Sequence, residues 1–164
     1  MAVRPILLYP DSILKTPSAP AVPGDPSVAS VIQDMLDTLH ASPGVALAAP
    51  QIGCAVQIIV ADVSRKKGET GHGLVVLLNP RITHQAQERI VREGCLSVPD
   101  FTGNVLRYGT TIVEGLTPNG TQTTIEASGF EALAFQHEVD HLNGTLFLDR
   151  IRSMETDLFR RKAL

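Results

Sequence analysis

The sequence is poor in cysteine. Cys54 and Cys95 are the only two, so at most one disulfide can form. Small extracellular scaffolds usually carry more, and two thiols suit a reducing, cytoplasmic compartment better. Charge is also scarce, at 19% of residues, and the formal net charge is −3. That balance argues against a chain that lives on nucleic-acid phosphates, because such binding needs a surplus of cations. The one basic cluster, Arg160-Arg161-Lys162, reads as a solvated helix face. No apolar run approaches a membrane span, and Met1 to Leu8, broken by Pro5, is too short for the core of a secretory leader. Repeats and low-complexity linkers are absent. The 164 residues are expected to form one domain, 1–164, large enough to bury its own core.

What is present reads as strands with few helices. Asp25-Pro26 is an N-cap followed by proline at the first helical position. Val28, Val31, Ile32, Met35, Leu36 and Leu39 then recur at helical spacing until Pro43-Gly44 stops them. Strands are expected at 56–63, 74–78, 82–91, 111–116 and 121–127, the last two joined by the turn Pro118-Asn119-Gly120. The charged stretch 64–73 reads as a surface loop. A second helix is expected at 130–142, and a short third at 155–163. Strands and helices that do not alternate strictly indicate an α+β domain.

The strongest chemical signal is His137-Glu138-Val139-Asp140-His141. Histidines four apart on a helix project from one face, one turn apart, and can share one metal ion. Glu138, beside the first of them, can serve as a base for an activated water. Five residues can also match by accident, so a third ligand decides the matter. Metzincin proteases need a third histidine where this chain has Phe147, and thermolysin-like proteases need a glutamate from a later helix, where only Glu155 follows. The remaining good donor is Cys95, although a lone cysteine is more often a small buried apolar residue. One thiolate and two imidazoles leave a coordination position open, as catalytic sites do. Gln51, after Pro50 in a glycine-containing loop, is by itself simply exposed. Glu93 needs a cation if it is buried. Cys54 reads as a small apolar residue, and His40, His72 and His84 as surface residues.

Three separated segments then agree with one family. The chain resembles peptide deformylases. Their Gly-x-Gly-x-Ala-Ala-x-Gln motif appears as Gly44-Val45-Ala46-Leu47-Ala48-Ala49-Pro50-Gln51, Glu-Gly-Cys-Leu-Ser as Glu93 to Ser97, and Gln-His-Glu-x-Asp-His as Gln136 to His141. The resemblance implies antiparallel or mixed sheets packed around a central metal-binding helix. It implies one divalent ion, Fe²⁺ in the cell with Ni²⁺ or Zn²⁺ as substitutes, bound by Cys95, His137 and His141. It makes Glu138 the general acid/base, and Gln51 and the Leu96 N–H the holders of the oxyanion. Gly44, Val45, Ala46, Val91, Glu93, Gly94, Phe130, Leu133 and Ala134 then belong to the substrate cleft, the apolar ones to the methionine pocket. The implied reaction removes the formyl group from N-formylmethionyl peptides and nascent chains in the cytoplasm and releases formate. A transient ribosome contact through the basic C-terminal cluster goes with such substrates; a stable nucleic-acid partner or a membrane does not.

The chain departs from the motif at its second glycine, which is Ala46. A β-carbon there narrows the cleft or confines φ to negative values. Two alternatives therefore stay open: another small metallo-amidohydrolase using the same site, and a deformylase-like protein with altered or lost activity.

Overall fold

In the computed structural model, which describes residues 2–162, nine regular elements follow one another. They are helix α1 (Pro26–Ala41), strands β1 (Ala46–Ala48), β2 (Ile58–Ala61), β3 (Val75–Cys95), β4 (Val98–Leu116) and β5 (Gln122–Ser128), helices α2 (Gly129–Leu142) and α3 (Phe147–Arg150), and strand β6 (Leu158–Arg160). The strands form one sheet in the order β1-β2-β3-β4-β5, every pairing antiparallel, with β6 added to a free stretch of β4. This is an α+β arrangement.

Local chemistry accounts for the ends of the elements. The Asp25 carboxylate accepts a hydrogen bond from the Ser27 N–H at 2.8 Å, and Pro26 follows it, so α1 starts where the cap places it. In β2, Ile58 and Val60 pack toward α1 with Met35 and Leu39. Ile59 and Ala61 face the other side with Ala132 and Phe135 of α2. A strand covered on both faces needs no polar alternation, which is why its apolar run is unbroken. The two helices thus clamp one sheet from opposite sides.

The sequence divides where the structure does not. Segments 74–78 and 82–91 are parts of the single strand β3, and 111–116 is only the end of β4. Pro80 suggests a break, but it sits in an irregularity between the pairs Leu78–Leu116 and Arg81–Glu114, where no ladder donor is required of it. Asn79 adopts φ 51° there, accepts from the Ala21 N–H at 2.7 Å and donates to the Ala21 carbonyl at 3.0 Å. The expected strand at 56–63 shortens to β2, with Val63 already in a 3-10 turn.

The expected third helix is not formed. Residues 154–156 are turn, 157 is a bend and β6 follows, while Ala163 lies outside the described residues. The open backbone of Phe101–Gly103 pairs with Leu158–Arg160, and Phe159 lies under the Arg92 guanidinium at 3.5 Å. These contacts outweigh a weak local helical preference. The 64–73 loop lies on the surface as expected. It is tied down by Glu131 at the start of α2, which accepts from the His72 backbone N–H at 2.7 Å and lies 2.6 Å from its ring Nδ1.

Candidate active site

Helix α2 carries two donors on one face, and the position of the helix is fixed by side chains that replace backbone pairing. Between its partners β6 and β5, strand β4 leaves the Tyr108 peptide free. Gln136 fills that gap: its amide accepts from the Tyr108 N–H at 2.9 Å and donates to the Tyr108 carbonyl at 2.8 Å. One residue along β4, Arg107 reaches α2 and donates to Asp140 at 2.7 Å. With the helix held in this way, His137 and His141 face the end of β3, where Cys95 precedes the tight Leu96-Ser97 turn into β4.

The three donor atoms converge. Cys95 Sγ lies 3.3 Å from His141 Nε2, which lies 3.1 Å from His137 Nε2, and all three fall within 4.8 Å of one another. Two nitrogens about 2.0–2.1 Å from one tetrahedral ion stand roughly 3.4 Å apart, so the observed spacing suits a shared cation. The donor set is also chemically apt, because sulfur with two imidazoles suits several first-row divalent ions. Among the described residues this is the one group of three or more His, Cys, Asp or Glu side chains so arranged.

A chain of charges stands behind the histidines. Glu93 lies 2.5 Å from His137 Nδ1, which directs the Nε2 lone pair of that ring toward Cys95. Arg107 grips the same carboxylate with two bonds, at 2.9 and 2.7 Å. Arg150 forks onto Asp140 at 2.5 and 2.7 Å. Burial pushes the Glu93 carboxyl up, but the His137 charge and the bonds from Arg107 outweigh it and hold the group at about 2. Burial likewise works against the Arg107 cation, yet Glu93 and Asp140 keep its pKa above the usual arginine value. Glu138 makes no such ion pair, although His137 and Arg107 stand near enough to act on it. Burial, with help from Glu93 and Asp140 against His137 and Arg107, raises its carboxyl to about 7, and its Oε2 is buried with no hydrogen-bond partner.

These groups open onto a cleft of about 700 Å³. Its walls include Gly44, Val45, Ala46, Gln51, Val91, Glu93, Gly94, Cys95, Leu96, Phe130, Leu133, Ala134, His137 and Glu138. Every residue assigned to the site from the sequence therefore lines the cleft except His141, which is buried at 1% exposure. Gln51 is not an exposed loop residue. It is 1% exposed, its Oε1 accepts from the Ala48 N–H at 2.9 Å, and its Nε2 donates to Ser97 Oγ at 3.2 Å and points toward Cys95 Sγ at 3.7 Å. The Leu96 side chain closes over Gly44, where a β-carbon would come within 2.7 Å of it. The Arg107 network and the Gln136 clamp were missed. The available signal was an arginine on the inward-facing register of β4, with Val105 and Val113.

Ala46 causes no backbone conflict. It pairs with Ala61 in β1, is not among the positive-φ residues, and packs its methyl into the core with Ala48. Ala46→Gly is expected to change kcat/KM for a short formyl peptide by less than about threefold and to destabilise the fold by about 1 kcal/mol. Peptide kinetics and urea unfolding check this. A tenfold gain in turnover would show instead that the methyl obstructs the cleft.

Comparison with known proteins agrees along nearly the whole chain. A family model described as polypeptide deformylase matches residues 3–157. A peptide deformylase of Syntrophobacter fumaroxidans is 41% identical over 162 residues, covering 99% of this chain and 94% of that protein. The crystal structure of a peptide deformylase from Legionella pneumophila superposes with TM-score 0.86 at 38% identity, covering 94% of this chain and 89% of that one. A class I type b peptide deformylase from Acinetobacter baumannii, solved with Met-Ala-Ser bound, gives TM-score 0.84 at 33% identity, covering 92% of this chain and 99% of that one.

Proposed function

The chain belongs to the polypeptide deformylase family and is a metal-dependent hydrolase of N-terminal formyl groups, and we propose that the cleft above α2 is where it works. The observation that carries this reading is the meeting of Cys95, His137 and His141 beside the buried, unpartnered Glu138 oxygen. In this reading α2 is the central metal-binding helix of one catalytic domain, 1–164. The ion is Fe²⁺ in the cell, with Ni²⁺ or Zn²⁺ able to replace it, and the compartment is the cytoplasm.

Cys95, His137 and His141 would hold a divalent ion, which when bound would supply the Lewis acidity that lets water act as a nucleophile near neutral pH. The protein supplies the rest. Glu138 accepts the proton of the attacking water and returns it to the departing methionine nitrogen, a role open to its carboxyl because Oε2 is committed to no other partner. Negative charge gathers on the formyl oxygen. The Gln51 amide, fixed by Ala48 and Ser97, and the Leu96 N–H receive it. Val45, Val91, Phe130, Leu133 and Ala134 form the apolar seat for the methionine side chain, while Gly44, Ala46, Glu93 and Gly94 flank the peptide. The A. baumannii relative binds a tripeptide beginning with methionine, and we extend that substrate class to this chain as formylated nascent polypeptides. Any transient ribosome contact falls to the exposed basic end around Arg160 and Lys162, outside the reaction itself.

The test is formate release from formyl-Met-Ala-Ser by protein prepared anaerobically with Fe²⁺ or Ni²⁺. Formate without cleavage of internal peptide bonds is expected; internal cleavage, or no formate, contradicts the reading. Cys95→Ser replaces a thiolate with a neutral hydroxyl and is expected to weaken ion retention more than about tenfold, since even outer-shell changes reach that size. Metal analysis after chelator competition measures it, and unchanged retention removes Cys95 from the ligand set.

A further inference from the structure

Although the chain is acidic overall, the rim of the cleft is not. Three of the lining residues are Lys66, Arg92 and Arg161, and all three are exposed. The carboxylates that line the same cleft are Glu93 and Glu138. Glu93 is committed to His137 and Arg107, and Glu138 is 3% exposed beside the ion ligands. Neither neutralises the rim. Among the described residues, none of the three cations makes a salt bridge.

Each cation is nonetheless held in place. The Lys66 ammonium stands 3.9 Å from the centre of the Phe130 ring, itself a cleft wall. Its loop is pinned by the bonds of Glu131 to His72. Arg92 stacks on Phe159 at 3.5 Å and donates to Asn104 at 3.1 Å. Arg161 lies so close over Gly94 that a β-carbon there would fall 2.5 Å from its Nη2, and its backbone N–H is tied to the Asp100 carbonyl at 2.7 Å. Aromatic faces and a missing side chain position these charges without neutralising them.

We propose that Lys66, Arg92 and Arg161 form a specificity site that favours carboxylate side chains in the substrate peptide shortly after its methionine. The inference rests on the deformylase reading, because it needs a peptide whose first residue occupies the apolar seat and whose following residues leave past the rim. A peptide partner fits better than a nucleic acid because the three charges line the reaction cleft itself and the protein's net charge is −3. Exposed ion pairs are individually weak and screened by salt, so the preference should be modest and sensitive to ionic strength.

The experiment uses the metal-loaded enzyme and formyl-methionyl tetrapeptides bearing Glu, Gln or Lys at the second, third or fourth position. All are amidated at the C-terminus, so that no terminal carboxylate competes; free-acid versions measure that contribution separately. At one position or more, kcat/KM is expected to rank Glu above Gln above Lys, with Glu over Gln about 3- to 10-fold at low salt, shrinking toward 1 at high salt. In the triple variant Lys66→Gln, Arg92→Gln, Arg161→Gln the ratio should fall to about 1; using a ratio removes any general loss of activity. Turnover of the Gln peptides with no charge preference at any position overturns the proposal and leaves the deformylase reading standing, as does a preference that survives in the triple variant. No turnover of any formyl peptide overturns both.

Discussion

Glu138→Ala is expected to lower kcat by about 10³-fold while the ion stays bound and the fold stays intact. The side chain is not in the convergent donor set, which consists of Cys95, His137 and His141, so its removal takes nothing from the ion. It is buried, and its Oε2 lacks a partner. A buried carboxylate without partners is a burden on stability, so the alanine variant should melt at the wild-type temperature or slightly above it. What the variant loses is the proton relay between attacking water and departing nitrogen. Saturation kinetics, metal content and thermal unfolding of the same sample separate these contributions. Turnover within tenfold of wild type removes Glu138 from the chemistry, and loss of the ion would show that it supports the ligands instead.

Arg107→Met should be the most destabilising single change near the site, by about 3–5 kcal/mol in urea unfolding. Arg107 is 2% exposed and bonds two carboxylates, Glu93 and Asp140. A methionine fills much of the volume but leaves both with fewer partners in a low-dielectric setting. Asp140 retains Arg150, and Glu93 retains His137. Lysine cannot restore the network, because one ammonium cannot reproduce the two parallel bonds to Glu93. The same change loosens the orientation of His137 through Glu93, so ion affinity should fall roughly 10- to 100-fold as well. Measuring unfolding on metal-free protein keeps the two effects apart. A loss below about 1 kcal/mol would show that Arg150 and His137 alone suffice as partners for the two carboxylates.

The site was more legible in the sequence than the sheet. His137 and His141 declare themselves because a helical repeat fixes their mutual direction. Cys95 and Gln51 do not, since each comes from a different element, and only the long β3–β4 hairpin and the 3-10 turn at 49–52 bring them to α2. Motif resemblance supplied that long-range information. The sheet misled locally: Pro80 looked like a strand boundary because nothing nearby signals that it falls in an irregularity of the pairing. Residues 155–163 looked helical because their pairing partner, Phe101–Gly103, lies more than fifty residues away. The roles of Arg107, Gln136 and the rim cations were harder to read for a related reason. Gln136 falls in the third motif and Arg161 in the C-terminal basic cluster, but what each side chain does depends on which neighbours the fold presents to it.

The account depends most directly on one ion sharing a sulfur and two imidazoles. X-ray absorption at the metal edge of nickel-loaded protein tests this without reference to turnover. One sulfur and two histidine nitrogens around nickel, with the sulfur lost in Cys95→Ser, is the predicted result. A coordination sphere of nitrogen and oxygen alone in the wild-type protein would contradict it.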